Sequence, residues 1–65
     1  ANAVQFLYMW LKLQGEVSYS YSEMVDLVRI RSHSLMVAVK RLEELGFLKV
    51  YEKPTPHRRG RFKAV

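Results

Sequence analysis

The chain contains no cysteine. That removes disulfides, thiolate zinc sites and thiol nucleophiles together, and it fits a reducing compartment. Glycine is scarce too, with three residues, Gly15, Gly46 and Gly60, each falling where an element is expected to end or bend. A glycine-rich phosphate loop is therefore excluded. No long hydrophobic run is present: the longest apolar stretch, Phe6 to Leu11, is far short of the ~20 residues of a membrane span. The charged start and small-residue cleavage site of a signal peptide are also missing. The expected location is the cytoplasm. Acidic residues stop at Glu52. A chain of 65 residues makes one small domain, which buries only roughly 60% of its unfolded surface and has little room for a deep substrate pocket.

What is present is positive charge and helical patterning. The net charge is +5, and five of the eleven basic residues, Lys53, Arg58, Arg59, Arg61 and Lys63, fall in the last thirteen positions. For so small a chain this favours a polyanionic partner. Residues 3–14 read as a first helix. Phe6, Leu7, Trp10 and Leu11 form one face, yet Val4, Tyr8, Met9 and Leu13 are apolar as well. A helix apolar on most of its circumference has two partners. One is its own core, and the other is a second subunit or a further part of a longer protein. Gly15 ends the helix, and Glu16 to Tyr19 read as a short strand.

Ser20 and Glu23 have the spacing of a capping box, so helix two spans about 21–29, with Met24, Leu27 and Val28 facing inward. Helix three spans about 33–45, with Leu35, Val39, Leu42 and Leu45 as its buried stripe and Ala38 allowing close approach. Gly46 suits a left-handed cap. Strands over about 47–53 and 61–65 follow, joined by a loop that Pro54 and Pro56 stiffen and Gly60 bends. The fold class is mainly α with a small β-sheet. A capped short helix, a tight turn, a second helix and a glycine stop place one helix across another, so that its exposed face can enter a groove of DNA.

At this point the sequence resembles the winged helix-turn-helix family of DNA-binding domains, over almost its whole length. The residues that carry the resemblance are Ile30 closing the turn and the run Leu42, Glu43, Glu44, Leu45, Gly46 ending helix three. The resemblance implies three helices and a C-terminal β-hairpin wing. It implies double-stranded DNA as partner, transcription regulation as the role, and a nucleoid-associated place in the cell. Helix three is then the recognition helix, with Arg31, Ser32, His33, Ser34, Met36, Val37, Lys40 and Arg41 toward DNA. The wing over residues 54–61 contributes His57, Arg58, Arg59 and Arg61 to the flanking backbone or minor groove. Arg29 stands where the family often has glycine, and is either strained or in a different turn. Arg31 replaces a small capping residue, so Ser32 is either the substitute cap, starting helix three late, or a DNA contact. Met36 and Val37 can meet thymine methyls but cannot read a hydrogen-bond pattern.

Chemistry of other kinds lacks its parts. His33 and His57 are not at ligand spacing, so neither metal nor other cofactor is expected. Glu23 and Asp26 have helix-start and surface explanations, Glu43 and Glu44 are adjacent rather than opposed, and no serine has a base and an orienter. An enzyme is not expected, nor a small-molecule ligand. Tyr19 and Tyr21 could stack on single-stranded bases, but no basic residue is interleaved with them. The competing reading is a winged helix that docks on protein within a replication, transcription or membrane-remodelling assembly. Its docking surface is then Val4, Tyr8, Met9 and Leu13 on helix one, with Met36 and Val37. The same helix-one residues would serve a homodimer.

Overall fold

The first helix, α1 (Ala3–Gln14), starts where the Asn2 side chain accepts the Gln5 N–H at 2.9 Å, an N-cap that satisfies an otherwise orphaned donor. The computed structural model describes residues 2–65. The elements that follow are β1 (Glu16–Val17), α2 (Tyr21–Val28), α3 (Ser32–Glu44), β2 (Leu48–Glu52) and β3 (Arg61–Ala64). The expected α+β fold is present: three helices and one antiparallel sheet of order β1-β3-β2, in a winged-helix-like arrangement.

Leu7 and Leu11 of α1 are fully buried and pack against Leu35, Ala38, Val39 and Leu42 of α3 and Phe62 and Ala64 of β3 within one core. The helical step of about 100° per residue sorts the other apolar side chains. Val4 and Tyr8 fall on one flank of the buried pair and pack against the core, as Trp10 does on the other. Phe6, expected in the core face, turns out to solvent with Met9 and Leu13, which are 65% and 85% exposed. The expected second face is therefore split. Val4 and Tyr8 belong to the core margin, whereas Phe6, Met9 and Leu13 form the outward stripe.

The capping box of α2 is complete. Ser20 Oγ accepts the Glu23 N–H at 3.2 Å, and Glu23 Oε1 accepts the Ser20 N–H at 3.0 Å. Met24 and Val28 are buried, but Leu27, expected beside them, is 53% exposed. A helix of 8 residues with its buried line through positions four apart leaves the intervening residue at the edge of the face. Arg29 takes the left-handed conformation, at φ 60°, and donates its N–H to the Val25 carbonyl at 2.9 Å. It performs a glycine's role, at a steric disadvantage of roughly 1–2 kcal/mol for a residue with a Cβ.

Helix α3 begins at Ser32, one residue earlier than expected, with Arg31 at the N-cap and no side-chain cap. Ser32 is thus the first helical residue and not the substitute cap. At the other end the Gly46 N–H reaches Glu43 O at 3.0 Å and the Phe47 N–H reaches Leu42 O at 2.9 Å, with Gly46 at φ 84°. This pair of bonds is a Schellman motif, and its left-handed residue is glycine because a Cβ disfavours that conformation. Leu45, expected in the buried stripe, is 56% exposed. It lies at the C-cap, past the last turn that other elements cover.

In the sheet, β3 is central. Val17 and Val50 both pair with Phe62, and the Val50–Glu52 segment of β2 bulges opposite Arg61. Phe62 and Ala64 point into the core while Arg61 and Lys63 face out, the period-two alternation of a half-buried strand. β1 is two residues long rather than four. Beyond it, Tyr19 O accepts the Gly60 N–H at 2.9 Å instead of continuing the ladder. β2 starts at Leu48, and β3 ends at Ala64, one residue inside the expected limits.

Candidate functional site

Two segments hold most of the residues expected to act. The first is the outer face of α3. Ser32, His33, Ser34, Met36, Val37, Lys40 and Arg41 are all exposed. Helical spacing puts His33, Val37, Lys40 and Glu44 on one line with Met36 beside it. The first helical backbone bond accepts at Arg31 O, from Leu35 N–H at 2.8 Å. With no side-chain cap, the N–H groups of Ser32, His33 and Ser34 have no partner within the helix, and the positive end of the helix dipole is open there. Arg29 and Arg31 border a shallow depression beside this end, shared with Asp26.

Between α3, β2 and the following loop runs a groove of about 470 Å³. His33, Met36, Val37 and Lys40 form its helical wall, and Lys53 and Pro54 form the opposite side. Glu43 and Glu44 line the same groove toward the carboxyl end of α3. In the sequence these two carry part of the family resemblance and are set aside as a catalytic pair; in the structure they share a surface with Lys40. Their spacing from Lys40, three and four residues on, was the available signal. Tyr21 also lines the groove, and burial, with Glu43 nearby, raises its hydroxyl pKa.

The second segment is the loop between β2 and β3. It does not project as a free hairpin. Thr55 O accepts the Tyr21 N–H at 3.0 Å and Pro56 O accepts the Ser22 N–H at 3.2 Å. Those are the first two helical donors of α2, so loop carbonyls and the capping box together satisfy its amino end. Thr55 closes the loop on itself, donating its N–H to Arg58 O at 3.0 Å and accepting the Arg58 N–H on Oγ1 at 2.9 Å. Pro54 and Gly60 are buried. Gly60 is glycine because of close approach, not because of a bend: its φ is not positive, and a Cβ there would overlap the Glu52 carbonyl oxygen and the Pro54 nitrogen.

The four basic wing residues thus divide. Arg59 forms a two-bond ion pair with Glu23, at 2.8 and 3.0 Å. That contact, ahead of the Ser20 backbone bond, holds Glu23 below its usual carboxylate range and raises Arg59. Arg61 lies on β3, 3.3 Å from Glu16 and 3.8 Å from Glu52, with its guanidinium 4.6 Å from the Tyr51 ring centre. His57 and Arg58 are exposed on the turn. Among the described residues, Arg58, Lys53, Lys40, Arg41 and Arg31 have no ion-pair partner.

Further apolar surface, beyond Met36 and Val37, lies elsewhere. Besides the stripe of Phe6, Met9 and Leu13, a smaller groove of about 240 Å³ is lined by Val4, Tyr8, Leu42, Leu45 and Phe47. Tyr8 meets Phe47 edge-on at 5.5 Å and donates its hydroxyl to Val65 O at 2.7 Å. Tyr19 packs against Trp10 with ring centres 5.9 Å apart, so it is no open stacking platform. Among the described residues no three His, Asp or Glu gather as a metal site, and no helix is long and apolar enough to cross a membrane. No family model, curated protein or solved structure matches this chain.

Proposed function

We propose that the chain is a winged helix-turn-helix domain that binds double-stranded DNA, most simply as a transcription regulator acting at the nucleoid. The observation that carries this reading is the amino-terminal half of α3. It is exposed, uncapped, and flanked by Arg29, Arg31, Lys40 and Arg41. Open helical N–H groups and dipole favour a phosphate there, and the same half of a recognition helix meets base edges in the major groove. Lys53, His57 and Arg58 then lie on the flanking backbone. Arg59 is committed to Glu23, and its contribution in this reading is to hold the loop rather than to enter a groove.

A second reading has its own observation. Phe6, Met9 and Leu13 form an exposed apolar stripe on α1, on a face remote from the core pair Leu7 and Leu11. It suits a protein contact. Used between two copies, it would set two recognition helices on half-sites about 34–36 Å apart. Used with another protein, it would make the domain a docking module of a larger assembly.

The deciding experiment is an anisotropy titration of a random DNA duplex across a salt series. Engagement of Arg31, Lys40, Arg41, Lys53 and Arg58 gives a slope of log affinity on log salt of about −4 to −5. Absence of binding at low salt would sink the DNA reading and leave the docking module.

A further inference from the structure

We infer that α3 recognises DNA through pyrimidine C5-methyl groups, above all those of thymine, using Met36 and Val37; the inference rests on the DNA-binding reading and names what that surface selects. The starting observation is a mismatch between exposure and chemistry. Met36 and Val37 are 39% and 51% exposed at the centre of the face that the uncapped end of α3 presents. Neither serves the core, which α3 supplies through Leu35, Ala38, Val39 and Leu42. Their neighbours on that face, His33 one turn before and Lys40 one turn after, are polar or charged. Lys53 stands across the groove.

The occupant is therefore apolar where it meets Met36 and Val37 and electronegative where it meets Lys40 and Lys53. An apolar protein face would bury His33 and Lys40 without partners, which is costly. The major groove of DNA combines both properties. Its floor has one apolar feature, the C5-methyl group of thymine, which 5-methylcytosine shares, and it is walled by phosphates. Met36 and Val37 are consecutive, about 1.5 Å apart along the helix axis and about 100° apart around it. They can meet methyls on neighbouring base pairs, stacked about 3.4 Å apart. Lys40, one turn further, is the residue type that donates to guanine O6 and N7. Glu43 and Glu44 line the same groove one turn beyond Lys40, and repulsion between their carboxylates and the phosphates bounds the base-reading surface on that side.

Removing the methyl groups tests this directly. The chain is titrated with a duplex of alternating A and T and with the same duplex carrying uracil for every thymine, at one low salt concentration and across a salt series. Loss of one buried methyl weakens binding about fourfold, and loss of two by roughly tenfold or more. The expected result is that preference for the thymine duplex, together with its loss in the Met36→Gln, Val37→Asn double variant, whose side chains carry no methyl group. Both positions are exposed and both replacements keep side-chain size, so the variant's helical circular dichroism and melting temperature serve as the folding control. Equal affinity for the two duplexes, with steep salt dependence, would overturn methyl readout and leave DNA binding standing. A thymine preference that persists in the double variant would overturn the assignment to Met36 and Val37. No binding to either duplex would overturn both readings and give the face to a protein.

Discussion

Arg59 donates to both carboxylate oxygens of Glu23, Nε to Oε1 at 3.0 Å and Nη2 to Oε2 at 2.8 Å, while the same Oε1 accepts the Ser20 N–H. One carboxylate thus closes the capping box of α2 and anchors a loop 36 residues away in sequence. Glu23 is held below its ordinary value of 4.5, first by Arg59 and then by the Ser20 backbone. A lowered folded-state pKa means that the charged form favours folding. The contribution is complete above the ordinary glutamate value and is lost as pH falls through the lowered one. Melting temperatures taken down through that window should therefore drop more steeply for the native chain than for Glu23→Gln. Parallel curves would mean that the pair adds nothing to folding.

Gly60→Ala should destabilise, by about 1–3 kcal/mol, because the added methyl meets backbone on both sides of the loop. At an unconstrained site the same change would stabilise by about 0.4–1 kcal/mol. The sign of the shift in the urea midpoint, at unchanged slope, decides between close approach and mere flexibility.

Arg29→Gly should act in the opposite direction. Arg29 is the one non-glycine residue with positive φ among the described residues. Relief of its Cβ conflict should raise stability by about 1 kcal/mol. A lower midpoint would show that the Arg29 side chain makes a stabilising contact outweighing its backbone conformation.

Leu42→Ala and Leu45→Ala separate the core from the surface of α3. Leu42 is 2% exposed, and its truncation should cost about 2–5 kcal/mol. Leu45 lines only the open groove beside Val4 and Tyr8, and its truncation should stay within about 0.5 kcal/mol. Chemical denaturation of the two variants side by side measures the difference, and comparable losses would place Leu45 in the core.

Arg58 and Arg59 should part company in DNA binding. Arg58→Ala is expected to reduce the salt slope by about one and to weaken binding evenly across sequences. Arg59→Ala should change the slope less and lower the melting temperature, since its charge is already paired with Glu23. Equal changes in slope without loss of stability would mean that Arg59 leaves Glu23 to meet phosphate.

The capping box at Ser20 and Glu23, the glycine stops at Gly15 and Gly46, and the buried line from Leu35 to Leu42 were legible from residues within a turn or two of one another. Their physics is local: a cap satisfies donors three residues away, and helical spacing selects a face. The exposed surface of α3 was readable for the same reason. Helix three was expected one residue late, and the cap-or-contact choice at Ser32 stayed open, because that boundary depends on the turn before it, where Arg29 takes the left-handed conformation. Local pattern alone therefore determined three helices, their ends to within one residue, a basic exterior and the face of α3 turned to solvent. Tertiary structure decided which apolar residues lost their cover, as Phe6, Leu27 and Leu45 did, because burial depends on what packs opposite and not on side-chain type. It also decided the state of the wing arginines. Whether Arg59 faces solvent or Glu23 is set by where the chain returns after β2, and the carbonyls of Thr55 and Pro56 bring it to the open end of α2.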